Sequence, residues 1–121
     1  GWLVLEAVLS LKKGDHAAIQ RYMDELKEKR VSRQPLEYPS AGSTFKRPEG
    51  FFAGKLVMDA GLAGFSVGGA QVSEKHCGFV INKGNATAKE VRELMEQVSD
   101  RVYEKFEVRL EPEVRLLGEF A

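Results

Sequence analysis

Between Tyr38 and Pro48 the chain runs Tyr38-Pro39-Ser40-Ala41-Gly42-Ser43-Thr44-Phe45-Lys46-Arg47-Pro48. A turn of small residues here presents the Ser43 hydroxyl beside two cations, Lys46 and Arg47, while Pro39 and Pro48 limit its motion. Used as a nucleophile, Ser43 would need a base. No histidine lies near it in sequence and no nucleophile elbow surrounds it, which argues against a hydrolase. The same residues also suit a plain turn whose serine hydroxyls bond their own backbone. A second candidate is Glu113, in Leu110-Glu111-Pro112-Glu113-Val114-Arg115. A carboxylate alternating with Arg109, Glu111 and Arg115 is commonly part of a solvated, charge-paired strand face. Pro112 could equally end regular pairing and turn Glu113 into a cleft. Spacing alone leaves both residues open.

Other motifs are weaker. Gly50-Phe51-Phe52-Ala53-Gly54-Lys55-Leu56 falls short of a phosphate loop, because the glycine spacing is one too few and Leu56 stands where a magnesium-binding hydroxyl is required. His76 and Cys77 are adjacent and His16 is distant, so no ligand pairs sit at zinc spacing and no metal is expected. Asn85-Ala86-Thr87 has the form of a glycosylation acceptor but reads better as a turn into a helix cap.

The elements that must position these residues follow from composition and periodicity. The chain has 121 residues, 43% of them hydrophobic, with 18 basic and 18 acidic side chains. That suits one soluble domain, and a net charge of zero leaves no general attraction to nucleic acid or acidic membranes. Any anion site must be local. The lone Cys77 cannot form an intramolecular disulfide and suits a reducing compartment, so the cytoplasm is expected. Trp2 to Leu11 is about half the length of a membrane-spanning helix and lacks the flanks of a signal peptide, so no membrane insertion is expected.

Leu3, Leu5, Ala7, Leu9 and Leu11 alternate, which predicts a strand over residues 2–11. A chain that starts in a strand implies a larger protein upstream. Asp15 is placed to cap a helix with apolar positions Ile19, Tyr22, Met23 and Leu26, ending near Arg30 to Arg33. Residues 34–50, with Pro35, Pro39, Gly42, Pro48 and Gly50, form a loop long enough to be functional. A short helix at Leu56–Ala60 closes on Gly61, and strands are expected at Phe65–Val72 and Gly78–Asn82. Gly68-Gly69 inside the first of these calls for a bulge or a close backbone approach. Thr87-Ala88-Lys89-Glu90 has the form of a capping box before a long helix whose apolar face is Val91, Leu94, Met95, Val98, Val102 and Phe106. Val108, Leu110, Val114 and Leu116 predict a last strand or strand pair. This order gives an α+β fold, a largely antiparallel sheet packed against two or three helices.

Four segments also carry a family resemblance. They are Tyr38–Lys46, Val67-Gly68-Gly69-Ala70-Gln71-Val72-Ser73, Ile81-Asn82-Lys83-Gly84-Asn85-Ala86-Thr87 and Leu110–Arg115. Together, and in this order, they resemble the carboxy-terminal half of UDP-N-acetylenolpyruvoylglucosamine reductases. The resemblance implies an enzyme in which NADPH reduces FAD and the flavin reduces UDP-N-acetylglucosamine enolpyruvate to UDP-N-acetylmuramate for peptidoglycan synthesis. It assigns Ser43 as the proton donor to one alkene carbon, with Glu113 assisting alongside an arginine outside this chain. It suggests Arg33, Lys46, Arg47 and His76 as substrate contacts. These types make chemical sense, since a hydroxyl can protonate only if its own oxyanion and the developing enolic charge are stabilised.

The flavin-binding motifs are absent from this sequence, so FAD and NADPH belong to the full-length enzyme and neither is expected to stay bound to this chain. The tyrosine-bearing insertion of one subgroup also has no room between Leu11 and Gly42, which puts the chain with the subgroup lacking it. On this reading residues 1–14 form a strand belonging to or leaving the missing flavin-binding part. Residues 15–121 are the carboxy-terminal substrate-binding domain, whose partners are the UDP-sugar and that missing part. The alternative is a non-catalytic α+β binding module on the same scaffold.

Overall fold

The computed structural model describes residues 1–119. They fall into two units, one of residues 1–32 and one from Arg33 onward. In the first, residues 1–15 carry no regular secondary structure and α1 spans His16–Arg33. The strand expected over residues 2–11 has no hydrogen-bonded neighbour among the described residues. A strand exists only through its neighbours' hydrogen bonds, and alternation cannot supply them. The cap on α1 is as expected: Asp15 Oδ2 accepts from Ala18 N at 2.7 Å. Its apolar positions are not a core face, since Ile19, Tyr22, Met23 and Leu26 are all exposed.

The second unit contains β1 (Ser40–Ser43), α2 (Ala53–Asp59), β2 (Ser66–Val67), β3 (Ala70–Val72), β4 (Phe79–Asn82) and α3 (Ala88–Phe106). The four strands form one antiparallel sheet in the order β1-β4-β3-β2. This is the expected α+β architecture. The single strand predicted at Phe65–Val72 is instead the hairpin β2–β3. Gly68 takes a φ of 52° at the first turn position, where glycine is favoured. The close approach read from Gly68-Gly69 is present: a Cβ on Gly69 would lie 2.1 Å from the Gly84 carbonyl oxygen.

Helix α3 starts from a complete capping box. Thr87 Oγ1 accepts from Glu90 N at 3.2 Å, and Glu90 Oε2 accepts from Thr87 N at 2.8 Å. Leu94, Met95, Val98 and Val102 are buried on its inner face, with Val91 and Phe106 partly buried beside them. They meet Ala70 and Val72 of the sheet and Leu56 and Val57 of α2. Burial of each such side chain is worth roughly 1.5–3 kcal/mol, which ties the three layers together.

The last predicted strand is absent. After α3 the chain makes one isolated bridge, Phe45 to Pro112. Lys46 N donates to Glu111 O at 2.8 Å, and Glu113 N donates to Thr44 O at 2.9 Å. These two bonds flank Pro112, which has no N–H to give and sits at the non-hydrogen-bonded position between them. One bridge is all that such a segment sustains. Ser99 Oγ, donating to Leu110 O at 3.1 Å, ties it to α3.

Candidate functional site

The bridge also brings the two candidate proton-handling residues together. Glu113 N bonds the carbonyl of Thr44, the residue next to Ser43, so both side chains reach one cleft of about 730 Å³. Ser43 is aimed there by an irregular β1. Ser40 pairs with Ile81 and Ser43 with Phe79, so two residues of β1 face one of β4. Gly42, at φ 85°, absorbs this bulge, and bulges commonly redirect a side chain. The bulge disturbs the ladder, and the buried Thr44 hydroxyl fills in by accepting from Val80 N at 2.8 Å. Thr44 N donates to Gly78 O at 2.8 Å. One residue thus ties Ser43, Glu113 and the turn after β3.

That turn forms a second wall. The buried Ser73 hydroxyl accepts from Lys75 N and His76 N, each at 3.2 Å. His76 Nδ1 accepts from Gly78 N at 3.1 Å, which leaves Nε2 as the protonated nitrogen of the neutral ring. The ring stands edge-on to Phe79 with centroids 4.9 Å apart. His76 shares the cleft with Ser43, but the Ser43 hydroxyl donates instead to Phe45 O, at a long 3.4 Å. No serine–histidine pair is formed.

The third wall is the start of α2. Gly54 lies against Gly78 so closely that a Cβ there would meet Gly78 N at 3.0 Å. These two cleft glycines are occupied in packing the helix on the turn and form no open cradle for a dinucleotide. Charge in the cleft comes from Lys46, Arg47, Lys55 and Lys75, set against Glu74 and Glu113. Lys46 pairs with Glu111 at 2.9 Å with both side chains at least half exposed. Such a pair is worth about 0–1 kcal/mol, so an anionic ligand could take its place. The Glu113 carboxylate makes no ion pair or hydrogen bond with the described residues. The Cys77 thiol is buried in the lining, and desolvation, reinforced by Glu74, pushes its pKa up.

Ser43, Lys46, Arg47, His76 and Glu113 therefore line one cleft. Arg33 does not. It is exposed at the carboxy-terminal end of α1, before the Pro35 turn, outside the lining of this cleft. Sequence reading missed Phe52, Lys55 and Lys75. Phe52 and Lys55 lie in the segment rejected as a phosphate loop, and no local pattern marked Lys75. Among the described residues, no helix is long and apolar enough to cross a membrane, and no group of three or more His, Cys, Asp or Glu could hold a metal ion.

The family model described as UDP-N-acetylenolpyruvoylglucosamine reductase, C-terminal domain, matches residues 34–117. The chain belongs to this reductase family. A UDP-N-acetylenolpyruvoylglucosamine reductase from Lachnoclostridium phytofermentans is 64% identical over 119 residues, covering 98% of this chain and 38% of that protein. One from Agathobacter rectalis is 62% identical over 120 residues, covering 99% of this chain and 38% of that protein. The crystal structure of the UDP-N-acetylenolpyruvylglucosamine reductase from Thermus caldophilus aligns with a TM-score of 0.67 at 38% identity, covering 86% of this chain and 37% of that one. The chain thus spans a little over a third of the length of the reductases it matches. The matched residues include β1 to α3 and every cleft residue named above.

Proposed function

We propose that this chain is the substrate-binding domain of a flavin-dependent reductase that converts UDP-N-acetylglucosamine enolpyruvate to UDP-N-acetylmuramate. The observation that carries the reading is the convergence of Ser43, Glu113 and a set of cations on one cleft, in a member of this family. The cations of the cleft lining suit a sugar diphosphate. The FAD and NADPH required by the reaction belong to the rest of the full-length enzyme, which residues 2–11 are proposed to join as a strand. Localisation in the cytoplasm is part of the same proposal.

The domain's own work is to bind, orient and protonate. Lys46 and Arg47 hold the diphosphate or the substrate carboxylate by charge-assisted hydrogen bonds, and the Nε2 proton of His76 is available to a substrate oxygen. Hydride arrives at one alkene carbon from outside this chain. The Ser43 hydroxyl then gives its proton to the other carbon, so the C=C double bond becomes a single bond with one hydrogen added at each end. For this it must leave its weak bond to Phe45 O, which costs little at 3.4 Å. The alkoxide left behind is stabilised by the neighbouring cations and then takes a proton back from solvent, with Glu113 assisting that return at the cleft.

Replacing Glu113 by Gln in the full-length enzyme tests this assignment. It is expected to leave reduction by NADPH intact and to slow the enolpyruvyl-dependent step at least tenfold. Unchanged rates in both half-reactions would remove Glu113 from the chemistry.

A further inference from the structure

Ser43 is exposed, and its hydroxyl keeps only the long 3.4 Å bond to Phe45 O. Neither packing nor a strong side-chain bond therefore aims this group, and its direction is set by the backbone that carries it. That backbone is held one residue further on. Thr44 is 2% exposed, and its N–H, its carbonyl and its hydroxyl oxygen are each engaged with a different partner. The N–H donates to Gly78 O at 2.8 Å and Oγ1 accepts from Val80 N at 2.8 Å. These two bonds grip the chain on either side of Phe79, the residue paired with Ser43. The carbonyl accepts from Glu113 N at 2.9 Å.

Of the three bonds, only the one through Oγ1 depends on the type of side chain. The other two are main-chain bonds that another residue could make equally well. A bulge leaves its strand locally short of ladder bonds, so the side-chain bond carries more of the hold on β1 than it would in a regular ladder. Without it the buried Val80 N–H is unpaired, a cost large enough to shift the strands until another acceptor or water reaches it. A displacement of about 1 Å at a reacting group can lower a rate by about 10²-fold. We propose that Thr44 is a positioning residue for the proton transfer. Its hydroxyl, by holding the bulged β1 to Val80, sets the direction of Ser43 and, through the bond to Glu113 N, the placement of the carboxylate that assists. Thr44 is not in the lining of the cleft and acts only through these two residues. The inference rests on the reductase reading and deepens it.

The test compares the two half-reactions of the full-length enzyme in Thr44→Val, Thr44→Cys and Thr44→Ser. Valine keeps the shape and removes the acceptor, cysteine offers a weak acceptor, and serine keeps the oxygen. Flavin reduction by NADPH should proceed at the parent rate in all three. The limiting rate of flavin reoxidation by the enolpyruvyl substrate should fall at least tenfold in Thr44→Val and by a smaller factor in Thr44→Cys, and Thr44→Ser should restore it. The half-saturating substrate concentration should stay within about twofold of the parent value, because no binding group is removed. Added to Ser43→Ala, Thr44→Val should slow reoxidation by less than about twofold more, since the group it positions is already gone. Reoxidation at the parent rate in Thr44→Val overturns the proposal, as does a serine variant as slow as the valine one. A loss that multiplies with that of Ser43→Ala also overturns it, because a general loosening of the fold then accounts for the effect. Should the valine variant fail to fold, the cysteine variant decides by the same criteria. If Ser43→Ala alone is reoxidised at the parent rate, or the parent is not reoxidised by the substrate, the reductase reading of this site fails first, an outcome visible without any Thr44 variant.

Discussion

Gly69 is the position where adding one methyl group should do the most damage. Its ideal Cβ would lie 2.1 Å from Gly84 O, 2.6 Å from Ala86 N and 2.9 Å from Ala86 Cα, all backbone atoms. None can swing aside as a side-chain end could, so the β2–β3 hairpin and the residue 84–86 turn must part by about 1 Å to reach ordinary contact. Overpacking of this kind costs about 1–3 kcal/mol. The same movement strains the bond from Lys83 N to Gly69 O, at 2.8 Å, which adds about 1 kcal/mol. Gly69→Ala should therefore lose roughly 2–4 kcal/mol, a fall in Tm of roughly 8–24 °C for a domain of this size. Gly84→Ala is the control, since a Cβ there meets nothing within 4 Å. Urea and thermal denaturation followed by circular dichroism measure both. If Gly69→Ala unfolds within about 0.5 kcal/mol of Gly84→Ala, the packing account of this hairpin is wrong.

Thr44→Val keeps the shape of the side chain but leaves the buried Val80 N–H without its acceptor, and should cost about 1–2 kcal/mol in urea denaturation, with Thr44→Ser closer to the parent. Hydrogen bonds from the backbone of Thr87 and Gly69 hold the Glu90 carboxyl below the ordinary carboxylate range. Its contribution to stability is therefore present above about pH 4.5 and lost as pH falls through its lowered folded value; Glu90→Gln should flatten that acid limb in a pH series of melting curves. Burial keeps the Cys77 thiol protonated beyond its usual range, so a disulfide reagent at pH 8 should modify it slowly in the folded protein and rapidly in urea. Equal rates in the two states would contradict its buried placement.

The parts of the fold that were legible in the sequence are those set by local chemistry. Thr87 and Glu90 announce α3 because both halves of a capping box lie within one turn, and the apolar face from Val91 to Phe106 follows from helical spacing. The Asp15 cap of α1 is local in the same way. For segments 2–11 and 108–116 alternation shows only that a strand would have one apolar face. Whether the strand forms depends on distant partners, and Pro112 limits the second segment to one bridge. Gly68-Gly69 announced close packing, but the turn they make needed the register of β3 against β4 to be seen.

The site was legible in part. Ser43, Lys46 and Arg47 share one short segment, so their proximity needed no fold. Glu113 reaches the same cleft through the Phe45–Pro112 bridge and His76 through a turn tied to Thr44 at Gly78 O, contacts between residues far apart in sequence. Phe52 and Lys55 lie in a segment that matched no binding motif and reach the cleft through the packing of Gly54 on Gly78, while Lys75 comes with the Ser73 turn. Arg33, suggested by the resemblance and not by any pattern in the residues, lies outside the lining of the cleft.

The central claim is that Ser43 gives a proton to the enolpyruvyl carbon, and rapid-mixing kinetics of the full-length enzyme carrying Ser43→Ala test it most directly. Flavin reduction by NADPH should proceed at nearly the parent rate, since Ser43 takes no part in it. Reoxidation by UDP-N-acetylglucosamine enolpyruvate should slow by roughly 10²- to 10⁴-fold, the range expected for removal of a positioned general acid. Ser43→Cys, which retains a proton to give, should recover part of that loss. Reoxidation of the alanine variant at the parent rate would contradict the assignment outright.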